Sequence, residues 1–360
     1  MSDALALAAA PRPVAPFAHS RKRTPSPVSA PTLELRRPDD WHLHLRDGEM
    51  LEAVVDATAR AFRRAIVMPN LVPPVVTGAD AAAYRERILA ATSVPGFEPL
   101  MTLYLTERTD PDDVAAAHAS GAATACKLYP AGATTNSDSG VRDVRAIDAV
   151  LARMEAVDMP LLIHGEVVDA DIDVFDREKV FIDRILAPLV ERFPKLRIVL
   201  EHITTEDAVQ FVSGARDGIA ATITAHHLRI DRNAMFDGGM RPHAYCLPLA
   251  KRARHKAALR RAATSGSERF FLGTDSAPHA RGAKESSCGC AGIYSAPVAL
   301  ESYATTFEEE GALEHLELFA SLAGPRFYGM APNEETVVLD RVDWTVPDEL
   351  PAGAERIVPF

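Results

Sequence analysis

The chain has 360 residues, of which 47% are hydrophobic, 25% charged and 6% aromatic, and its formal charge is 39 − 50 = −11. Those fractions exclude a wholly disordered chain, a fibrous repeat and a miniature disulfide scaffold, and the negative total argues against a general nucleic-acid grip. Length alone allows two domains or one α/β barrel of about 250 residues with extensions.

The charge is unevenly spread. Residues 1–37 hold Arg12, Arg21, Lys22, Arg23, Arg36 and Arg37 against Asp3 and Glu34, a net of +4, so the other 323 residues sum to −15. Pro11, Pro13, Pro16, Pro25, Pro27 and Pro31 lie in the same stretch among Ala and Ser. Such a segment has too little apolar surface to order itself, and residues 1–32 are expected to be a flexible arm ahead of a single domain, 33–360. An organelle transit peptide is the functional alternative, against which stand Asp3 and the proline density. No run of about 18 apolar residues marks a membrane helix. Cys126, Cys246, Cys288 and Cys290 make no disulfide framework, which fits a reducing cytoplasm. Cys288-Gly289-Cys290 could be half of a metal site, but without a second pair it reads as two thiols in a tight loop.

Beyond the arm, short apolar runs alternate with helical patterns. In chain order the runs are Leu33–Leu45, Ala65–Met68, Leu100–Leu105, Ala122–Tyr129, Pro160–His164, Leu196–Ile203, Ala220–Thr224 and Arg269–Gly273, eight candidate strands. Thr77 and Asp80 form a capping-box pair that opens a helix after the second run. Between the fourth and fifth, Val144, Ile147, Val150, Leu151, Met154 and Val157 repeat at helical spacing over Val144–Val157, and Phe181, Ile185, Leu186 and Leu189 do so after the fifth. Strands alternating with helices imply parallel strands joined by crossovers, which an open sheet and a closed barrel both satisfy. The count of eight favours a (β/α)8 barrel. So do the polar residues that recur where the runs end: His42 and His44, Asn70, Lys127, His164, His202, His226 and Asp275. No Gly-x-Gly-x-x-Gly follows the first run, so a dinucleotide site has no support.

His42 and His44 are two apart, so on a strand both imidazoles project to one face, where a metal ion could take both. Alone, such a pair is more often structural. With His164, His202 and Asp275 at other strand ends, it suggests an imidazole–carboxylate cation site. Lys127 could supply a bridging ligand if its neutral amine captured carbon dioxide as a carbamate. It could equally be a Schiff-base lysine or a salt-bridged lysine at a strand end. His118, His255 and His315 fall in helical segments and are expected to be solvated; His226, His227 and His243 are ambiguous.

Trp41-His42-Leu43-His44-Leu45-Arg46-Asp47-Gly48, Met68-Pro69-Asn70, Lys127-Leu128-Tyr129-Pro130, Thr134-Thr135-Asn136, His164-Gly165-Glu166, Glu201-His202-Ile203-Thr204-Thr205 and Gly273-Thr274-Asp275-Ser276-Ala277-Pro278-His279 together resemble the dihydroorotases, the compact bacterial type within the amidohydrolase superfamily. The resemblance runs from about residue 33 nearly to the end. It implies a metal-dependent barrel hydrolase that reversibly cyclises N-carbamoyl-L-aspartate to (S)-dihydroorotate in pyrimidine synthesis. It further implies two zinc ions bridged by N6-carboxylated Lys127, with His42, His44 and Asp275 on one and His164 and His202 on the other. A hydroxide shared by the metals would attack the ring carbonyl, and Asp275 would act as general base and then acid. Arg46, Asn70 and His279 would clamp the substrate carboxylate, while backbone at Leu247, Ala291 and Gly292 would read the ring amide. Thr134 and Thr135 would lie on a loop that closes over the substrate, within the small, polar stretch Ala131–Gly140. A homodimer is also implied.

The arm, Cys126 beside Lys127 and the ending at Ile357-Val358-Pro359-Phe360 depart from the family pattern, the last leaving the pairing of the final element open. Two rival readings remain. One is another cyclic-amide hydrolase, such as a hydantoinase or allantoinase, against which Arg46, Asn70 and His279 argue. The other is a non-catalytic barrel serving as an assembly partner, against which the intact ligand set argues.

Overall fold

The computed structural model describes residues 17–19 and 32–360. In chain order the strands are β1 (Phe17–His19), β2 (Thr32–Arg36), β3 (Asp40–Leu43), β4 (Arg64–Val67), β5 (Glu98–Tyr104), β6 (Ala125–Leu128) and β7 (Leu161–Ile163). They continue as β8 (Ile198–Leu200), β9 (Ile219–Ile223), β10 (Phe270–Leu272), β11 (Thr336–Arg341), β12 (Leu350–Ala352) and β13 (Glu355–Ile357). Strands β3 to β10 pair in sequence order, all parallel, with helices in the connections. The expected eight-stranded barrel is therefore present.

Its seam lies between the first and last barrel strands. Asp275 N donates to His42 O at 2.7 Å and His44 N to Ser276 O at 2.9 Å. Below these bonds, the Asp40 carboxylate accepts from Thr274 N (2.9 Å), Thr274 Oγ1 (2.6 Å) and His42 N (3.2 Å). Asp40 is fully buried, and burial lifts its pKa to about 7 against these lowering hydrogen bonds.

Period-two alternation sorts the barrel residues. Ala125, Leu162, Val199, Ala220 and Phe271 point inward with Trp41, Ile66 and Met68, and Tyr328 stacks on Trp41 at 4.5 Å to close the lower end. The intervening Cys126, Leu161, Ile163, Ile198, Leu200 and Ala221 join the larger cluster under the helices. Two residues above the inward apolar layer stand Lys127, His164, Glu201 and Thr222. The same alternation that fills the barrel floor thus aims polar groups into its mouth. Gly273 occupies the matching position above Phe271; a Cβ there would meet the Thr222 side chain at 2.7 Å and His42 Cβ at 3.1 Å, so glycine is what lets His42 approach.

The helices follow their sequence signals. Thr77 Oγ1 accepts from Asp80 N while Asp80 Oδ2 accepts from Thr77 N, completing the capping box. The first turn of the expected Val144–Val157 helix is 3-10 (Val144–Ile147), with the α-helix at Asp148–Ala156. No helix among the described residues is long and apolar enough to cross a membrane.

Three expectations need correction. The run Leu33–Leu45 is two strands: Pro38, which lacks an N–H, falls in the break, and β2 pairs antiparallel with β11 outside the barrel. Within the expected arm, Phe17–His19 is a strand, paired antiparallel with Leu339–Arg341 at the otherwise unpaired edge of β11, while the other residues up to 31 lie outside the described residues. His255 is buried, its Nδ1 accepting from Glu206 N, and His315 Nδ1 donates to Thr264 O; neither ring is simply solvated. At the other end, β12 and β13 form a hairpin and Phe360 N donates to Tyr294 O, which settles the pairing of the last element.

Replacing Asp40 by Ala would leave two buried backbone N–H groups without acceptors and the Thr274 hydroxyl with only its longer bond to His42 O at 3.3 Å. The loss is expected to reach about 3 kcal/mol or more, seen as a lower urea midpoint, whereas Asp40→Asn, which keeps an acceptor, should lose less. Equal midpoints for wild type and Asp40→Ala would show that the seam does not depend on this carboxylate.

Candidate metal centre and binding cavity

The seam brings His42 and His44 against Asp275. Oδ1 of Asp275 lies 3.1 Å from His44 Nε2 and 3.4 Å from His42 Nε2, and these three residues have donor atoms close enough to share one ion. His44 Nδ1 donates to Asn70 Oδ1 at 2.8 Å, which fixes the tautomer and leaves Nε2 with its lone pair towards Asp275. His202 continues the ring of imidazoles, its centroid 4.9 Å from both His42 and His164. Lys127 is fully buried beneath them, its Nζ 5.1 Å from the Tyr129 ring and without a hydrogen-bond partner.

Burial sets the protonation states. It pushes His42 down and His44 and His202 well below the ordinary histidine range, so those rings are neutral ligands rather than cations. It lowers Lys127 to about 8, against the pull of Glu201 and Asp275, and it raises Asp275, against the nearby His42 and Lys127. A lysine lowered this far is partly the free amine, the form that captures carbon dioxide.

The donor set therefore fits dications. Lys127 Nζ, His42 Nε2 and His202 Nδ1 are buried without hydrogen-bond partners, and such orphaned groups are costly unless an ion takes them up. Four of the five described non-glycine residues with left-handed backbone are here, Arg46, Asn136, His202 and Asp275 with φ of 63°, 56°, 41° and 45°; the fifth, Asp158, follows the Asp148–Ala156 helix. Left-handed backbone at non-glycine residues persists where the surroundings over-determine it, typically at functional sites.

Above the imidazoles is a cavity lined by Arg46, Asn70, Thr134, Thr135, Leu247, Ala291 and Gly292 together with His42, His44, His164, His202 and Asp275. Arg46 is held at Nε by Pro278 O, and its Nη2 lies 3.0 Å from His279 Nε2. That same nitrogen lies 2.9 Å from Ala291 O and can satisfy only one of the two; burial and Arg46 hold His279 down to about 3, so it is uncharged either way. Asn70 is already engaged, because its Nδ2 donates to Thr135 O while its Oδ1 takes His44. Thr135 Oγ1 donates to Ala291 O and Asn136 Nδ2 to Asn70 O, so the Ala131–Gly140 stretch lies down across the mouth.

Several residues at the site carry no role from sequence. Glu201 Oε2 lies 2.8 Å from His42 Nδ1 and accepts from Thr222 Oγ1, which itself accepts from His202 N at 2.7 Å. Glu166 Oε2 lies 2.9 Å from His164 Nε2. Both carboxylates stand beside quoted histidines, and the inward alternation is the signal that could have found Glu201. A second donor cluster, His226, His227 and Cys246, is buried behind Leu247. His227 is tied to Thr224 Oγ1 and Pro248 O, while both ring nitrogens of His226 are buried without hydrogen-bond partners; burial lifts the Cys246 thiol to about 12, which keeps it protonated, and Lys251 and Lys284 lie close, so the charge around this group disfavours a cation. Cys288 and Cys290 are free thiols flanking Gly289, whose φ is +65°.

The amidohydrolase family model matches residues 40–336. A curated relative, the dihydroorotase of Erythrobacter litoralis, is 62% identical over 332 residues, 91% of this chain and 96% of that protein. Among solved structures, dihydroorotase from Campylobacter jejuni aligns at a TM-score of 0.84 and 38% identity over 92% of this chain and 95% of the other. Dihydroorotase from Saccharomyces cerevisiae in complex with 5-fluoroorotic acid aligns at a TM-score of 0.85 and 34% identity over 91% and 95%.

Because the orphaned nitrogens belong to the folded state alone, metal should stabilise it. Chelator-treated protein is expected to gain about 4 kcal/mol when Zn2+ is returned at a thousandfold excess over Kd, read as a rise in Tm. His42→Asn should lose most of that gain, and a wild-type Tm indifferent to Zn2+ would contradict a built cation site.

Proposed function

The chain belongs to the amidohydrolase family, among its dihydroorotases, and from that premise we propose that it interconverts (S)-dihydroorotate and N-carbamoyl-L-aspartate, the ring-closing step of pyrimidine synthesis, through a two-metal site. The observation that carries the reading is the convergence of His42, His44 and Asp275 on one point, with Lys127, His202 and His164 beside them, under a cavity edged by the half-buried Arg46.

In this reading His42, His44 and Asp275 would hold one zinc ion and His164 and His202 a second, and Lys127, once carboxylated by carbon dioxide, would supply a further anionic ligand to the pair. When bound, the metals supply a Lewis acid for the carbonyl and acidify water. The remaining work falls to the chain. Arg46 takes the substrate carboxylate with paired, charge-assisted hydrogen bonds, in a cavity whose burial strengthens them. His279 and Asn70 flank that anion, and Asn70 also holds His44, so it serves both ends of the cavity. Backbone groups at Leu247, Ala291 and Gly292 accept and donate at the ring amide. Asp275, within reach of both His42 and His44 at the mouth, takes a proton from the attacking water and returns it to the departing amide nitrogen. In the cyclising direction the same transfers run backwards. Thr134 and Thr135, on the stretch that reaches Asn70 and Ala291, keep bulk water out.

The same reading includes a homodimer at work in the cytoplasm, in keeping with four cysteines that are all free thiols. A hydantoinase- or allantoinase-like activity is less well supported, because those rings carry no carboxylate for Arg46.

Two measurements test the proposal. Purified enzyme is expected to favour dihydroorotate over hydantoin or allantoin by on the order of 10⁴ in kcat/KM, since unpaired buried groups reject a ligand that lacks their partner. Comparable turnover of all three would overturn it. Arg46→Met is expected to lose about 3 kcal/mol, roughly a hundredfold in kcat/KM, at unchanged metal content.

A further inference from the structure

Lys284, the last residue of the short helix Arg281–Lys284, is 3% exposed, and the chemistry above makes no use of it. Its ammonium donates to three backbone carbonyls: Tyr245 O at 2.7 Å, Cys290 O at 2.9 Å and Gly292 O at 2.7 Å. These account for all three of its N–H donors. Among the described residues it has no ion pair with a carboxylate, so its hydrogen bonds all go to main chain, and the only other group over it is the Tyr245 ring, 5.6 Å from Nζ. A buried ammonium is costly, and an apolar side chain would fill the space at less expense. What the lysine adds is geometry.

The three carbonyls belong to two separate walls of the cavity. Tyr245 lies two residues before Leu247; Cys290 and Gly292 flank Ala291; and Leu247, Ala291 and Gly292 all line the cavity. The walls also meet directly, since Gly292 N donates to Tyr245 O at 3.1 Å, giving that carbonyl two donors. From the opposite side Gly292 is pressed against strand-end residues: a Cβ there would meet Ala277 O at 2.7 Å and His279 Cδ2 at 2.8 Å. The segment 290–292 is thus clamped between Lys284 on one side and Ala277 and His279 on the other, with no freedom to slide relative to Leu247.

We propose that Lys284 is a positioning residue for substrate selection: by drawing Tyr245, Cys290 and Gly292 onto one ammonium it sets the distance between the two stretches of main chain that read the ring amide of a cyclic ureide. The inference rests on the reading of those stretches given above. It separates the roles within the cavity. Arg46 grips the carboxylate and the imidazoles face the reacting carbonyl, while Lys284, without touching substrate, fixes the gauge into which the amide edge must fit.

Lys284→Met and Lys284→Arg, assayed as metal-loaded full-length enzyme, test the proposal. A wall displaced by about 1 Å is expected to raise KM for dihydroorotate and Kd for 5-fluoroorotic acid roughly 10- to 100-fold, with kcat and metal content close to wild type. Lys284→Arg keeps the charge but cannot direct three short bonds at the same carbonyls, so it should show the KM rise as well. An Arg variant with wild-type KM would mean that charge alone matters and would overturn the positioning role. So would variants that lose kcat and metal while KM stays put. If the Met variant does not fold, the Arg variant decides by the same criteria. Wild-type protein inert towards dihydroorotate would instead count against the proposed function, independently of Lys284.

Discussion

A parallel barrel of eight strands has one place where the first strand must meet the last, and here that join is made by a buried carboxylate. Asp40 accepts two bonds from Thr274 and one from the His42 backbone, and the main chains of His42 and Asp275 bond directly just above. Everything that makes the mouth a plausible metal site follows from that closure. His42 and His44 sit on one lip of the seam and Asp275 on the other, so the ligand atoms converge only because the sheet is shut. Gly273 allows the approach by having no side chain between Thr222 and His42.

Low dielectric is the second consequence. Once the seam is closed and Trp41, Phe271 and Tyr328 fill the floor, the groups above have little water to share. Imidazoles turn neutral, the Lys127 ammonium is weakened and Asp275 becomes a weaker acid, each because the charged form loses its solvation. Neutral rings, a free amine and a carboxylate form a set of donors that repel little and attract a dication strongly. Arg46 remains a cation at the rim, which favours an anionic ligand there despite the negative total of the chain.

Most of the fold was legible in the sequence because hydrophobic periodicity and strand-end polarity report the same geometry. Each of the eight apolar runs contains or overlaps a barrel strand, and the Thr77–Asp80 pair caps the helix it announces. The run Leu33–Leu45 misled because both of its halves are apolar; the separation comes from Pro38 and from β11, which is some 300 residues away (336 − 36 = 300) and invisible to local pattern. The histidines of the site could be picked out because i and i+2 spacing aims them inward. Of their carboxylate neighbours, Glu201 lies on the same inward alternation and could have been found by it, whereas Glu166 lies within a quoted motif without a separate sign. Lys284 could not be found at all, since its hydrogen-bond partners are main-chain carbonyls, which every residue carries and no side-chain pattern announces. His255 and His315 show the converse: helical spacing suggested solvated rings, and tertiary contacts to Glu206 N and Thr264 O captured them.

The central claim is that Lys127, the one buried amine of the imidazole cluster, becomes a carbamate that joins two dications. Metal-loaded protein prepared in 13C-labelled bicarbonate, followed by 13C NMR, tests this most directly. The account expects one labelled carbamate carbon per chain together with about two zinc ions, and loss of both the label and part of the metal in Lys127→Ala. Two bound dications with no label on Lys127 would contradict it.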